Sequence, residues 1–265
     1  MRSSRFACLL LLAVTSAGCF QMTTVMKVNG DGSGTVEHRM LFTTQALAQL
    51  RQFAALGGGR GQGVDPTSEQ QAREMASALG PGVTYVSSSP ITTPTGQGRD
   101  AIYAFADVNQ VRVATQPPAP GGATIKAQGL STHAEMLTFS LTREANGNAV
   151  LHIKVPESAL VDALVSGAAT APQQMTMIKT LLAGAHVMLG VEPAGQVVRT
   201  TSAYVEGPRV TLLEVDLDQL LSDPTLIARV QAAKTPEDMK AALKDVPGLK
   251  MTLEPEITIE FTPAK

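Results

Sequence analysis

The sequence predicts an α+β fold: a single domain of mainly antiparallel β-sheet, built from hairpins, with several short helices packed on one side. Runs of alternating apolar and polar residues recur along the chain, as in half-buried strands. Turns rich in glycine, asparagine and proline separate these runs, and apolar residues at helical spacing lie between some of them. The chain has 265 residues, of which 44% are hydrophobic and 17% are charged, so it can form a substantial core.

The first 18 residues predict a signal peptide that precedes this domain. Arg2 and Arg5 come before an apolar run at residues 6–14, which is too short to cross a bilayer as a helix. Small residues follow, and then Cys19. We therefore expect two parts: a signal peptide over 1–18 and a lipid-anchored α+β domain over 19–265.

The segment Ser16-Ala17-Gly18-Cys19 resembles the lipobox of bacterial lipoproteins, in which the cysteine is acylated before cleavage. This resemblance implies that Cys19 is the lipidation site and the first residue of the mature chain, carrying fatty acids such as palmitate. Lipoboxes usually have leucine where Ser16 stands, so ordinary signal cleavage near Ala17 or Gly18 is the alternative. Phe20 is not the aspartate that retains lipoproteins in the inner membrane, so the outer membrane is the expected location in an organism with two membranes.

The mature chain would then contain no disulfide, because Cys8 leaves with the signal peptide and Cys19 holds the lipid. Two or three acyl chains give stable membrane anchoring, since each buried CH₂ contributes about 0.8 kcal/mol. No later stretch predicts a membrane-spanning helix.

The first half of the domain predicts a hairpin, two helices and two further strands. Met22 and Met26 alternate with polar residues in the first strand, and residues 29–34 form a glycine-rich turn. The predicted elements are strands at Met22–Val28, Val36–Phe42, Val83–Ser87 and Ala101–Asp107, with helices at Thr44–Leu56 and Ser68–Leu79. Pro90 and Pro94 separate the last two strands.

The second half predicts another hairpin, followed by helices and strands. Asn146-Gly147-Asn148 is a hairpin turn, and Thr235 begins a helix with a sequence like a capping box. The predicted strands are Met136–Thr142, Ala149–Val155, His186–Val191, Gln196–Val205, Arg209–Val215 and Ile257–Phe261, with helices at Ser158–Val165, at Gln173–Ala183 and after Asp223 and Thr235.

The turn at Asn29–Gly34 partly matches a calcium-binding loop. Asn29, Asp31 and Ser33 fall at the first three ligand positions. The twelfth position requires a bidentate carboxylate and is occupied by Met40, and the flanking residues alternate as strands. A plain hairpin turn is therefore the favoured interpretation.

The four histidines, His38, His133, His152 and His186, form no close pair with metal-ligand spacing. His38 and His186 alternate with apolar residues, so we expect them in or near the core. Neither a nucleophile elbow nor a phosphate-binding loop is present. We therefore predict no catalytic residue, no metal site, no cofactor and no enzymatic activity. The alternative is an envelope enzyme with a dispersed site, since the members of a Ser–His–Asp triad can lie far apart in the sequence. A net charge of −2 also argues against a nucleic-acid partner.

Beyond the lipobox, the sequence resembles the LppM-type group of bacterial lipoproteins. The similarity rests on Cys19, the strand close behind it, the Asn29–Gly34 turn and the strand entry at residues 192–197. Many members of the group have a C-terminal membrane helix, which residues 260–265 do not predict. The group has no settled activity, so the resemblance implies an anchor and a fold but no other functional residue.

These observations favour an envelope protein that is anchored by its acyl chains and has a non-enzymatic role in binding or assembly. Its partner would be an envelope protein or a lipid. The alternative is a carrier for a lipid or another apolar molecule, suggested by Met22, Met26 and Met40 in the first hairpin, since methionine adapts to variable ligands. Methionine filling gaps in the core explains the same residues.

Overall fold

A computed structural model describes residues 20–48, 65–114, 136–156 and 184–264, apart from residues 224, 234 and 253. The signal peptide, Cys19, His133, most of the helix predicted at Thr44–Leu56 and the two helices predicted within 158–183 lie outside the described residues. In the part described, no helix has the length and apolar character needed to cross a membrane.

The described chain is mostly β-structure with a few short helices. Its thirteen strands are β1 Phe20–Val28, β2 Gly34–Thr43, β3 Val83–Thr93, β4 Gly96–Phe105, β5 Arg112–Ala114, β6 Met136–Arg143, β7 Ala149–Lys154, β8 His186–Pro193, β9 Gly195–Thr200, β10 Val205–Glu206, β11 Arg209–Asp216, β12 Leu249–Met251 and β13 Glu256–Pro263. Its helices are α1 Glu69–Ala78, α2 Leu217–Ser222, α3 Leu226–Ala232 and α4 Pro236–Leu243. Residues 44–48 are also helical, and Val108–Gln110 form one 3₁₀ turn.

The strands form two sheets where the sequence predicted one. Sheet A has eight strands in the order β10-β11-β8-β1-β2-β4-β3, with β12 paired to β11. Sheet B has five strands in the order β5-β6-β7-β13-β9. The pairing is antiparallel except between β1 and β8, which run parallel in the middle of sheet A.

The main core takes residues from both sheets. Residues on one face of sheet A, such as Val28, Val36 and Val191, are fully buried and belong to the same apolar cluster as Ile257 and Phe261 of sheet B. At one end of this core, the β1–β2 turn touches the end of β13. A side chain at Gly30 would place its Cβ 2.6 Å from the Cβ of Pro263, so the approach requires glycine.

The helices lie in two places on sheet A. Helix α1 packs against β3 and β4, and its Ala72 and Ala76 join the main core. Helices α2–α4 form a second apolar cluster with β12, against Leu213 and Val215 of β11. Leu213 pairs with Leu189 of β8, which belongs to the main core, so both described helix groups lie on the core-facing side of sheet A.

Local signals place most element ends where the sequence predicted them. The first hairpin and the hairpin around Gly147 are present. Ser68 Oγ accepts a hydrogen bond from the backbone of Gln71 at the start of α1. Thr235 and Asp238 form the reciprocal capping box of α4, as its sequence indicated.

Three strand predictions were wrong. The strand predicted as Ala101–Asp107 begins at Gly96 and ends at Phe105. The strand predicted to stop at Ser87 continues through Pro90 to Thr93. This is tolerated because β3 is the edge of sheet A, where the missing N–H of proline leaves no ladder bond unmade. The strand predicted as Gln196–Val205 divides into β9 in sheet B and β10 in sheet A, because the chain crosses between the sheets.

Candidate functional site

The predicted anchor lies immediately before the folded body. Cys19 itself is outside the described residues, and β1 begins at the next residue, Phe20. The Phe20 ring contacts Phe42 at 4.9 Å between ring centroids, within a small apolar cluster that includes Leu47. The first strand of the described chain is an interior strand of sheet A, flanked by β2 and β8.

A buried histidine occupies the same face of sheet A that forms the core. His38 of β2 is 7% exposed, and its Nδ1 lies 2.8 Å from Oγ1 of Thr24 on β1. Its Nε2 has no hydrogen-bond partner among the described residues. Burial lowers the pKa of His38 to about 4, so its imidazole is neutral at neutral pH.

A small cavity adjoins His38 beneath α1. Its volume of about 10 Å³ is room for about one water-sized sphere. It lies between β2, β4 and α1, and it is lined by His38, Met40, Pro66, Ala72, Met75, Arg99, Ala101 and Tyr103.

The polar groups that line the cavity besides His38 hold α1 in place. Tyr103 is fully buried, and its hydroxyl donates to the Ala72 carbonyl at 2.8 Å. Burial raises the pKa of the Tyr103 hydroxyl well above its usual range. The Arg99 guanidinium donates to the Thr67 carbonyl at 2.6 Å and to Ser88 Oγ at 2.7 Å. These bonds tie α1 and the segment before it to β3 and β4.

A larger, open groove lies at the edge of sheet A near β12. Its volume is about 330 Å³, which falls in the range of small-molecule sites. Buried Leu243 and Met251 form its apolar floor, and Tyr204, Lys240 and Lys244 lie along it. Lys240 pairs with Glu254 at 3.3 Å, whereas Lys244 makes no ion pair within the described part of the chain. The groove thus combines an apolar floor with a free positive charge.

His152 belongs to a polar group on the outer face of sheet B. Its Nδ1 lies 2.6 Å from Glu256 Oε1, and its Nε2 lies 3.4 Å from Thr142 Oγ1. The three side chains come from adjacent strands, and Thr142 and Glu256 are exposed. An acid, a histidine and a hydroxyl also make up hydrolytic triads, but those act in a cleft that binds the substrate. On an open strand face, the arrangement is a cross-strand ladder.

The remaining sequence candidates occupy ordinary positions. His186 at the start of β8 is partly exposed and lies 3.3 Å from Glu214 Oε1. Asn29–Gly34 is a hairpin turn, in which Asp31 accepts hydrogen bonds from the Ser33 backbone and hydroxyl. These bonds lower the pKa of Asp31. Within the described residues, no cluster of three or more His, Cys, Asp or Glu side chains could hold a metal.

The cavity and the groove were not found from the sequence. Three of the cavity residues, His38, Met75 and Arg99, are more than 20 positions apart in the chain, and their approach depends on strand pairing and on the docking of α1. The one local signal was the alternation of His38 and Met40 on a single strand face. That signal predicted burial and not a shared cavity.

No protein-family model matches the chain, and no curated protein matches it either. Among solved structures, the NMR structure of the folded domain of Mycobacterium tuberculosis LppM is similar. It has 12% sequence identity and a TM-score of 0.34, over 93% of this chain and 94% of that domain. LppM belongs to the group that the sequence resembles, and this degree of similarity carries no functional residue from one protein to the other.

Proposed function

We propose that this protein is a lipid-anchored binding domain of the bacterial cell envelope, and that it acts by binding a partner and not by catalysis. The observation that carries the proposal is the position of Cys19 at the end of a lipobox-like segment, one residue before β1 begins. A lipid at this position would hold the folded body against the membrane surface, because β1 is an interior strand with no spacer before it.

Analysis of the N-terminus of the natively produced protein tests the anchor. We expect the mature N-terminal peptide to begin at Cys19 and to carry acyl chains by mass spectrometry, and the protein to remain with the membrane fraction in high salt. Cys19→Ser should release it. An unmodified N-terminus on a protein that leaves the membrane freely would contradict the proposal. In an organism with two membranes, separation of the membranes should place the protein in the outer one.

The open groove supports the binding role. Its apolar floor at Leu243 and Met251 and the unpaired charge of Lys244 suit a partner that presents an apolar group next to an acidic one. The groove lies at the β12 side of sheet A, separated from β1 by β8 and β11. A partner could therefore occupy it without displacing the strand that follows the anchor.

Charge reversal in the groove tests this role. Lys244→Glu should abolish co-purification of an envelope protein from detergent-solubilised membranes. The matched control is Lys154→Glu, which reverses an exposed lysine on sheet B and should leave co-purification unchanged. Equal capture by both variants, or no specific protein captured by the natural chain, would contradict a protein partner bound in the groove.

The same groove favours a second candidate function, the carriage of a lipid or another apolar molecule. Its volume of about 330 Å³ allows part of such a ligand to bind, whereas the cavity under α1 has room for little more than one water. Lipid extraction of the purified protein, followed by mass spectrometry, tests this. A bound lipid that Lys244→Glu loses and Lys154→Glu retains would favour the carrier function over a protein partner.

The absence of catalysis is tested at the group that most resembles a hydrolytic site. We expect generic ester substrates to show no turnover beyond that of buffer, and His152→Gln to leave the result unchanged. Turnover by the natural chain that His152→Gln removes would overturn this part of the proposal.

A further inference from the structure

His38, which lines the cavity under α1, has a ring nitrogen that no described residue satisfies. In neutral imidazole, one ring nitrogen carries a proton and the other is a hydrogen-bond or metal acceptor. Nδ1 of His38 is directed to Thr24 on β1, at 2.8 Å. The cavity lies on the other side of β2, towards β4 and α1, and His38 lines it. We infer that Nε2 lies on the cavity side of the ring. A buried polar atom without a partner costs about 1–3 kcal/mol, so its presence calls for a ligand.

The other unengaged donor atoms around this cavity are thioether sulfurs. Met40 follows His38 on the same face of β2, and Met75 projects from α1. The hydroxyl of Tyr103 and the guanidinium of Arg99 already donate to protein acceptors. Pro66 and the two alanines offer only apolar side chains. The cavity is thus lined by one imidazole and two thioether side chains, which come from two separate elements.

We propose that His38, Met40 and Met75 form a binding site for a single copper(I) ion. Imidazole and thioether groups are the soft ligands that select copper(I), whereas magnesium, calcium and manganese prefer oxygen. The cavity accommodates one ion and not an organic cofactor. All three ligands are neutral and Arg99 lies beside them, so a monovalent cation is repelled less than a divalent one.

A buried water is the competing occupant. Buried waters usually make about three hydrogen bonds to otherwise unsatisfied polar groups. Sulfur is a weak acceptor, and the Tyr103 hydroxyl already donates to a protein acceptor. Two of the five N–H groups of Arg99 donate to described residues, so a water would depend on the remaining ones and on His38. A soft metal ion would instead be offered an imidazole and two thioethers as ligands.

The test uses the natively processed chain in mild detergent, after removal of metals under anaerobic conditions. Any free thiol is first titrated and alkylated, so that an unacylated Cys19 cannot bind copper. If Cys19 is not acylated, the thiol titration detects it, and the copper measurement remains valid. Copper(I) is then added in competition with bathocuproine disulfonate, and X-ray absorption identifies its ligand atoms. We expect one copper(I) per chain, bound by nitrogen and sulfur.

Conservative variants identify the site. Met40→Leu and Met75→Leu remove sulfur with little change in volume, a type of exchange that usually costs less than about 1.5 kcal/mol of stability. Each should weaken copper(I) binding at least about tenfold, since loss of even an outer-shell partner of a ligand costs that much. The matched control is Met22→Leu, which changes the β1 residue paired with Met40 in the sheet. Met22 does not line the cavity, and its variant should bind like the natural chain.

Three results would overturn the proposal. The first is a natural chain that retains no copper(I) against the competitor, which would leave water as the occupant. The second is binding that Met40→Leu and Met75→Leu leave equal to that of Met22→Leu. The third is an absorption spectrum without sulfur ligands.

Discussion

Val36 and His38 are neighbours on one face of β2, yet they lie in two different environments. Val36 is fully buried in the apolar cluster that sheets A and B share. His38 is almost as buried, but it lies under α1, where the same sheet face also presents Thr24, Arg99 and Tyr103. Sheet B covers its part of sheet A through apolar side chains. Over His38, hydrogen bonds from Tyr103 and Arg99 also hold α1 and the segment before it. The second environment is the one in which a polar atom is left free to bind a ligand.

The largest expected effect is a loss of stability when the apolar core between the two sheets is disrupted. Phe261→Ala on β13 removes a fully buried ring from the core between the sheets. We expect the free energy of unfolding to fall by about 3–5 kcal/mol, the usual cost of deleting a buried aromatic side chain. Urea denaturation followed by circular dichroism measures it. Val198→Ala on β9, a residue 56% exposed, is the control and should change stability by less than about 0.5 kcal/mol. A similar small loss for both variants would contradict a single core between the sheets.

The next largest effect is a loss of stability as the pH falls, and it distinguishes buried His38 from the apolar core. The pKa of His38 is about 4 in the folded chain against an ordinary value of 6.5. Between these values, the unfolded chain binds a proton that the folded chain does not, so stability falls as the pH falls from about 6.5 to about 4. The full loss is about 3 kcal/mol, of which about 1 kcal/mol falls between about pH 7 and pH 5.5, where most carboxylates stay ionised.

Urea denaturation of the metal-free protein at these two pH values measures the effect. His38→Gln should remove this part of the pH dependence, and His152→Gln, on the partly exposed face of sheet B, should retain it. The same dependence in both variants would show that another group is responsible.

A smaller effect is expected from removing one hydrogen bond that holds α1 over the cavity. Tyr103→Phe removes the hydroxyl that donates to the Ala72 carbonyl and leaves the ring in place. We expect a loss of about 1 kcal/mol, the net contribution of one buried hydrogen bond. Amide hydrogen exchange should also rise in α1 more than in β7, which is a strand of sheet B. Uniform exchange across both elements would indicate that the hydroxyl does not hold α1.

The smallest effect is expected at His152, which lies on the outer face of sheet B. His152 pairs with Glu256 at 2.6 Å, and the side chains are 30% and 44% exposed. A contact between two side chains this exposed contributes at most about 1 kcal/mol. Glu256→Gln should therefore change the free energy of unfolding by less than about 1 kcal/mol in urea denaturation at neutral pH. A loss as large as that of Phe261→Ala would mean that the outer face of sheet B is covered by another part of the protein.

Much of the local structure could be predicted, because its causes lie within a few residues. The alternation from Met22 to Val28 indicated which side of β1 is buried, and Asn146-Gly147-Asn148 marked the turn between β6 and β7. The bounds of β3 were missed, because a proline is harmless only on an edge strand and the sequence does not reveal which strand is the edge. The candidate sites were missed for a similar reason. His38 was expected in the core, but the approach of Met75 and the open groove follow from the packing of distant elements.

The sequence by itself determined the strand faces, the hairpin turns and the helix caps of this protein, together with the lipobox-like segment that predicts its anchor. Each depends on side-chain periodicity or on hydrogen bonds between residues close in the chain. Only the tertiary structure decided that the strands form two sheets, that β1 pairs in parallel with β8 more than 150 residues later, and that α1 closes over His38. These features depend on closing long loops, and local patterns do not reveal which of the compatible pairings buries the most apolar surface.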